Sequence, residues 1–257
     1  MSSGTWTPGA LWPERRRLSG PCWRVVESQH RVSTMNLVDT LAEQELLEVV
    51  IEDTKPQVPP ECRRLHYLLF TPFRYGAPYP TGSRFRRAGF TPGVFYGADE
   101  TSTAIAEMAF HRLLFFAESP RTPWPLNAGE YTAFRVDFRS SAGLDLTRPP
   151  FDRHRASWVA PVDYRACQDL ADQARDAGLE VLRYESARDR RPSAGGNLAL
   201  LTCRAFLSRE PVARQTWRIH LGSYGVRAVC DFPDARLGFD RQAFGGDPRI
   251  ARMKWLR

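Results

Sequence analysis

The stretch from Gly82 to Glu107, GSRFRRAGFTPGVFYGADETSTAIAE, is the part of the sequence on which the interpretation of the whole chain depends. It places Arg84 beside small residues, ends a short apolar strand at Tyr96 and brings Glu107 into the first turns of a predicted helix. The dipole of a helix favours an ionised carboxylate near its start. Such a carboxylate can stabilise an oxocarbenium ion or bind a ribose hydroxyl. The stretch therefore suits an anionic ligand that carries an aromatic ring and a sugar.

Each of these residues also has a simpler explanation when it is considered alone. Glu107 could be a solvated helix residue that balances the dipole, and Tyr96 could be half buried in the core. The chain contains 34 arginines, which are its 36 basic residues less two lysines, so Arg84 alone proves little. The combination needs support from elsewhere in the chain.

The composition is that of an ordinary globular protein. The chain has 257 residues, of which 42% are hydrophobic and 25% are charged, and this length allows one domain with a substantial core. No apolar run approaches the ~18 residues that a membrane-spanning helix needs. No apolar stretch follows the basic residues 15–17, so a secretory signal is not expected either. We therefore expect a cytoplasmic protein without membrane association.

The sequence does not point to a metal site or to a disulfide framework. The five cysteines are widely spaced and odd in number, and none forms a CxxC pair. The five histidines are scattered, with no HExxH motif.

The formal net charge of +7 is carried almost entirely by arginine. Arginine suits bidentate recognition of phosphate or carboxylate, although a genome rich in arginine codons would produce the same bias. A positive field favours acidic ligands or an acidic partner. A non-enzymatic nucleic-acid-binding module stays open as an alternative. No recognised nucleic-acid motif and no concentrated basic helix face supports it, so direct nucleic-acid binding is not expected.

Hydrophobic periodicity predicts an α+β domain. The predicted helices are residues 40–52, 101–116 and 164–177. The predicted strands are residues 66–70, 84–87, 93–97, 130–138, 179–184, 197–206, 215–221 and 225–232. The chain lacks βαβα alternation, GxGxxG and GxxxxGK[ST], so neither a Rossmann nor a TIM architecture is expected. The helix at 101–116 should turn one apolar stripe toward the core, formed by Ile105, Met108, Ala109, Leu113 and Phe116.

Composition divides the chain into three parts. Residues 1–21 are rich in Gly, Pro and Ser and are predicted to form a flexible arm. The residues that follow are predicted to form one domain, and residues 236–257 form a basic C-terminal tail. Within the domain, residues 139–160 are predicted to be irregular.

A second motif, YESAR at 184–188, lies far downstream of the first one. Its Ser186 follows a predicted strand and could bind a substrate hydroxyl or phosphate, or could satisfy the backbone of its own turn. No GxSxG sequence surrounds it, so a hydrolase-type nucleophile is not indicated.

Together these motifs resemble those of the RES domain family, which is named for an Arg, a Glu and a Ser. The matching segments are GSRF at 82–85, GVFYGADETSTAIAE at 93–107, and YESAR with GGNLALL within 184–201. The segment YLLFTPFRYGAP at 67–78 also resembles the one that precedes the arginine motif in longer members. The order and spacing of the motifs agree with the family. The resemblance covers roughly residues 22–235, and it implies that these residues form the domain, with its core motifs at 67–206.

The resemblance implies a fold and an activity. The fold is a single ADP-ribosyltransferase-like α+β domain with a split mixed or antiparallel sheet and an N-terminal helical extension. The activity is that of a toxin that degrades NAD at the nicotinamide–ribose bond, by phosphorolysis or hydrolysis. NAD is then the substrate, phosphate is a possible co-substrate, and no cofactor is needed. The implied partner is an Xre-type helix-turn-helix antitoxin that covers the cleft, in a complex that can contain a homodimer.

The resemblance also implies roles for individual residues. The implied catalytic residues are Arg84, Glu107 and Ser186. The implied substrate-binding residues are Tyr96, Arg74 and Tyr75. An insertion-like segment at about 117–165 departs from the family pattern and affects the loops around the cleft. Two alternatives stay open: a protein ADP-ribosyltransferase with the same site, and a protein of this type that only binds a partner.

Overall fold

A mixed β-sheet forms the centre of the computed structural model, which describes residues 6–28, 32–35, 37–189, 191 and 195–257. Its strands are β1 (Arg16–Glu27), β2 (Phe95–Ala98), β3 (Gly129–Asp145), β4 (Val181–Glu185), β5 (Gly196–Leu200), β6 (Ala213–Gly222), β7 (Gly225–Cys230) and β8 (Ala235–Asp240). Strands β3 and β4 are parallel, and the other neighbouring strands of the sheet pair antiparallel. The α+β class with a mixed sheet is thus confirmed.

The α-helices surround this sheet. They are α1 (Pro8–Leu11), α2 (Val32–Met35), α3 (Leu41–Thr54), α4 (Tyr67–Arg74), α5 (Thr101–Glu118), α6 (Arg155–Trp158), α7 (Arg165–Asp176) and α8 (Pro248–Ala251). Short 3-10 turns lie at Trp12–Glu14, Pro60–Cys62, Asp152–His154 and Cys203–Ala205. The helices predicted at 40–52, 101–116 and 164–177 correspond to α3, α5 and α7.

The long strand β3 splits the sheet into two parts. Its first half pairs with β6, from Gly129 opposite Ile219 to Arg135 opposite Ala213. Its last residues pair instead with β4, which lies parallel to it. The opposite edge of β3 pairs with β1, and β1 also bridges to β2, so the pairings β1–β2–β5–β4–β3–β1 close a ring. This ring fixes the positions of the ends of β4 and β5, where two of the sequence motifs lie.

Helix α5 is buried over more than the single apolar stripe that its sequence predicted. Ile105, Ala109, Leu113 and Phe116 are buried as expected, while Met108 is only partly buried. Further buried residues of the helix are Thr103, Ala104, Ala106 and Phe110. Because the protein packs against most of the circumference of this helix, the helix is rigid. A polar side chain that it carries therefore keeps a fixed position.

Two predicted strands before β2 are wrong. Residues 66–70 belong to helix α4 and its N-cap, because the ring Nδ1 of His66 accepts the backbone N–H of Leu68 at 3.2 Å. A short apolar run fits a buried strand and a buried helical turn equally well. Residues 84–87 form a tight turn, in which Ser83 and Arg86 make an isolated bridge.

Gly82 is required by the backbone of this turn. Its φ of 71° lies in the left-handed region. A Cβ atom there would lie 2.3 Å from the carbonyl oxygen of Arg86. The glycine therefore allows the chain to fold back on itself beside Arg84.

Other boundaries also differ from the prediction. Residues 139–160 are not irregular throughout, since β3 continues to Asp145 and α6 follows at Arg155–Trp158. The predicted strand at 197–206 is β5 followed by a 3-10 turn. The turn sequence at 222–225 joins β6 and β7 as predicted.

The division into arm, domain and tail stays a prediction, but parts of both ends belong to the fold. Strand β1 begins at Arg16, inside the predicted arm, and Leu11 is fully buried. The predicted tail contains most of β8 and also α8, which buries Ile250. Among the described residues, no helix is long and apolar enough to span a bilayer.

Candidate active site

The site is built around the carboxylate of Glu107, on the second turn of α5. Its Oε1 accepts a hydrogen bond from Ser186 Oγ at 2.7 Å and another from Asn197 Nδ2 at 2.5 Å. Among the described residues Oε2 accepts no hydrogen bond, and the carboxylate makes no ion pair. Two neutral donors thus fix one oxygen of the carboxylate, and the other oxygen keeps its capacity to interact.

Ser186 is held in place by the turn that follows β4. Its Oγ accepts the backbone N–H groups of Arg188 at 3.1 Å and Asp189 at 2.9 Å, while its own proton goes to Glu107. The residue is buried. Ser186 is therefore the turn serine that its sequence allowed, and its hydroxyl also binds the Glu107 carboxylate; its binding of a substrate stays a prediction.

Asn197 was not singled out in the sequence, although it lies in the GGNLALL segment. It is the second residue of β5, opposite Tyr184 of β4, and it is almost fully buried. Its Oδ1 is buried without a partner among the described residues. A buried polar atom without a partner costs about 1–3 kcal/mol. Reversing the amide would place its oxygen against the Glu107 carboxylate and would replace a hydrogen bond by a repulsion. The observed orientation therefore leaves Oδ1 without a partner but allows Nδ2 to donate to Glu107.

Tyr96 supports the loop that carries Arg84. Its hydroxyl lies 2.9 Å from Ser83 Oγ and accepts the backbone N–H of Phe85 at 2.8 Å. Burial is the main reason that the pKa of Tyr96 is raised, so the phenol stays neutral. The structure thus gives this hydroxyl a positioning task, which the sequence had not indicated.

Arg84 binds the segment that follows α6. Its Nη1 donates to the carbonyl oxygens of Trp158 at 2.6 Å and Ala160 at 3.0 Å, and its guanidinium lies 4.9 Å from the centre of the Tyr164 ring. Burial is the largest influence on the pKa of Arg84 and lowers it, but interactions with Tyr184, Cys167, Tyr164 and, last, Glu107 together raise the pKa above its ordinary value. Arg84 is therefore a buried cation that acts on Glu107 through its field.

A second buried arginine, Arg188, closes the same region. Its Nη1 pairs with Asp247 Oδ2 at 3.0 Å, and its Nη2 donates to the carbonyl oxygen of Pro161 at 2.7 Å. Its guanidinium also lies 3.6 Å from the centre of the Phe110 ring. The predicted tail thus reaches the site through Asp247, and the insertion-like segment reaches it through Pro161 and the Tyr164 ring.

His111 lies one turn beyond Glu107 on α5. Its side chain is exposed, yet desolvation by the surrounding protein is the main cause that lowers its pKa. Glu107 opposes this shift, whereas Arg188, Arg249 and Arg84 add to it. The i, i+4 spacing from Glu107 was the available sequence signal for this residue.

Arg74 and Tyr75 lie elsewhere. Arg74 pairs with Glu52 of α3 at 2.6 Å and donates to the carbonyl oxygen of Pro56. Both residues line a hollow that also includes Cys62 and Cys203, and not the Glu107 cluster. The structure therefore brings together Arg84, Glu107 and Ser186 with a loop braced by Tyr96, and it does not add Arg74 and Tyr75 to them.

The chemistry of this cluster is that of a fixed negative charge in a mainly positive surrounding. A carboxylate held by neutral donors can stabilise a positive charge that develops on a bound substrate. The neighbouring arginines favour an anionic ligand. Among the described residues, no group of three or more His, Cys, Asp or Glu side chains could hold a metal ion.

Comparison with known proteins identifies the family. The RES domain family model matches residues 58–222, which is more than half of the chain, and the protein belongs to this family. A structural match is a chain from the crystal structure of the M. tuberculosis MbcT–MbcA toxin–antitoxin complex. It has a TM-score of 0.42 and 14% sequence identity, and the match covers 72% of this chain and 75% of that chain. No curated protein matches the sequence.

Proposed function

We propose that this RES-domain protein is a toxin that degrades NAD by cleaving the bond between nicotinamide and ribose. One observation carries the proposal: Glu107 is fixed by Ser186 and Asn197, and its Oε2 has no partner among the described residues. A carboxylate arranged in this way is suited to meet a cation, and the ribose of NAD becomes cationic when the bond breaks.

The leaving group determines which catalytic groups the reaction needs. Nicotinamide is bound to ribose as a cationic pyridinium and leaves as a neutral molecule with the bonding electrons. No general acid has to protonate it. The positive charge passes to the ribose, where Glu107 Oε2 stabilises it, and phosphate or water then adds to the same carbon.

The remaining site residues bind and orient. Ser186 holds Glu107 in place, and in this proposal its hydroxyl exchanges that hydrogen bond for one to a ribose hydroxyl or an incoming phosphate. Arg84, with its bracing residue Tyr96, supplies positive charge for the pyrophosphate. The ring of Tyr96 packs against the nicotinamide in this proposal. For Arg74 and Tyr75, substrate binding would require NAD to extend toward their separate hollow.

We further propose a protein partner of the kind that the family implies. An Xre-type helix-turn-helix antitoxin would cover the cleft and block access to Glu107, within a complex that can contain a toxin homodimer. The proposed location is the cytoplasm, where NAD is available.

The reaction can be tested with purified protein freed of any partner. NAD is incubated with the protein with and without phosphate, and the products are identified by mass. We expect nicotinamide together with phosphorylated ADP-ribose or ADP-ribose, depending on the acceptor. Unchanged NAD under both conditions would refute the proposal. Appearance of ADP-ribose on a protein, with release of nicotinamide but no free ADP-ribose or phosphorylated ADP-ribose, would identify a protein ADP-ribosyltransferase instead.

A further inference from the structure

Two cysteines that are far apart in the sequence meet inside the structure. Cys62 ends the 3-10 turn before α4, and Cys203 begins the one after β5. Their sulfur atoms are 2.9 Å apart, with Cys62 Sγ donating to Cys203 Sγ, and they are separated by 141 positions along the chain. Both are buried as free thiols. Sequence spacing could not indicate this pair, because only the folded sheet brings the two turns together.

The pairing makes the two thiols unequal. The hydrogen bond donated by Cys62 stabilises a negative charge on Cys203, and it is the main cause that lowers the pKa of Cys203. The pKa of Cys62 is raised for the same reason, because ionisation of Cys62 would break this bond. A thiolate is the reactive form of cysteine. The contact between the sulfur atoms places the two thiols to react with each other, and the hydrogen bond donated by Cys62 favours Cys203 as the one that ionises.

The other three cysteines lack such a partner among the described residues. Burial raises the pKa of Cys22, Cys167 and Cys230, and for Cys167 it reaches about 11. Cys230 Sγ donates to the carbonyl oxygen of Phe232 at 3.2 Å. These thiols are held in their unreactive form.

A small oxidant has a route to the pair. Cys62 and Cys203 both line the hollow that also contains Arg74 and Tyr75. Hydrogen peroxide is little larger than water and can enter this hollow. Formation of the bond brings the sulfur atoms to about 2.05 Å, which needs a shift of only about 1 Å.

We propose that Cys62 and Cys203 form a redox-active dithiol, which peroxide oxidises to an intramolecular disulfide and which thiols reduce again. The Cys203 thiolate attacks one peroxide oxygen, which breaks the O–O bond, gives a sulfenic acid and releases one water after proton uptake. The Cys62 sulfur then attacks the Cys203 sulfur and expels a second water. Two thiols lose two electrons and two protons, and peroxide is reduced to two molecules of water.

The disulfide would tie the segment before α4 to the segment after β5. A cross-link between distant positions restricts the unfolded chain and so stabilises the folded one. For a protein of this size, we expect the oxidised form to unfold about 5–15 °C above the reduced form.

The test combines a thiol count with mapping of the cross-link. The full chain is treated with stoichiometric hydrogen peroxide, and free thiols are counted in denaturant. We expect five thiols before treatment, the total number of cysteines in the chain, and about three afterwards. Digestion without reductant should yield one linked pair of peptides, containing Cys62 and Cys203, with the mass of two hydrogens lost. Dithiothreitol should restore the count. A full thiol count after treatment, or a linked pair that involves another cysteine, would overturn the proposal.

Two variants distinguish oxidation of Cys62 and Cys203 from unspecific oxidation of the other cysteines. In Cys203→Ser no linked peptide should form, and the rise in unfolding temperature on peroxide treatment should disappear. Cys230→Ser is the matched control, because it removes another buried thiol and should keep both effects. Retention of the temperature rise in Cys203→Ser, or its loss in Cys230→Ser, would contradict the proposal. The thiol count on the unmodified chain decides the matter even if a variant fails to fold.

Discussion

Replacement of Glu107 by glutamine removes the charge of the site and leaves its hydrogen bonds in place. Ser186 and Asn197 both donate to Oε1, which a glutamine oxygen can replace. The new NH₂ group takes the position of Oε2, which accepts no hydrogen bond from the described residues. The variant should therefore fold normally and differ from the original protein in charge alone.

The size of the effect follows from that lost charge. At an effective dielectric constant of about 20, a positive charge about 5 Å from the carboxylate is stabilised by roughly 3 kcal/mol. Loss of this stabilisation in the transition state corresponds to a fall in kcat of about 10²- to 10³-fold. The Michaelis constant should change far less, because the charge on ribose develops only as the bond breaks.

The assay is the rate of nicotinamide release from NAD at saturating substrate. Glu118→Gln is the matched control, since Glu118 is an exposed glutamate at the end of the same helix. Its ion pair with Arg249 is long, at 3.9 Å. The control should retain full activity. If Glu107→Gln turned over within about threefold of the original rate while still folded, the role given to its charge would be wrong.

Three further predictions concern the surroundings of this carboxylate and the fold. Ser186→Ala leaves two buried backbone N–H groups without an acceptor. It should therefore lower the free energy of unfolding, measured by urea denaturation, by about 1–3 kcal/mol. An unchanged urea midpoint would contradict this. Arg84→Lys keeps the charge but loses the planar group and should raise the Michaelis constant for NAD by about tenfold or more, whereas Arg87→Lys, in an exposed ion pair, should not. Burial, followed by the charge of Arg214, lowers the pKa of His66 in the folded state. The unfolded chain therefore binds a proton at His66 more readily than the folded one. The stability that neutral His66 provides is complete above about pH 6.5 and is lost as the pH falls below that value. His66→Asn, which can still cap α4, should weaken the dependence of unfolding free energy on pH in that window, and an unchanged slope would exclude His66 as its source.

The elements that were predicted correctly have signals within their own sequence. Helix α5 has an apolar stripe, and β3 begins with an alternation of polar and apolar residues over 130–138 that is interrupted only at Ala133 and Phe134. The strand predicted at 66–70 failed because a short apolar run does not distinguish a strand from a helical turn, and because the His66 cap, although local, is not a common N-cap residue. The extension of β3 to Asp145 likewise depends on its pairing with β1 and β4.

The same distinction applies to the site. Glu107 and Ser186 could be selected because both lie in recognisable motifs, and the structure places them in contact. Asn197 carries no chemical signal of its own in a strand sequence, and its role depends on the register of β5 against β4. Tyr164 could not be selected either, because it lies in a segment that looked like an insertion. Arg74 was selected from its neighbourhood in sequence, but the fold directs its guanidinium to Glu52.

Because Glu107 and its hydrogen-bond donors are far apart along the chain, they are synthesised at different times. Asn197 follows Glu107 by 90 residues. At a synthesis rate of about 5–20 residues per second, roughly 5–18 s pass between the two residues on the ribosome. Ser186 follows Glu107 by 79 residues, so for most of that interval the growing chain has its carboxylate but neither of the donors that fix it. Several seconds per molecule therefore pass before the candidate site can form.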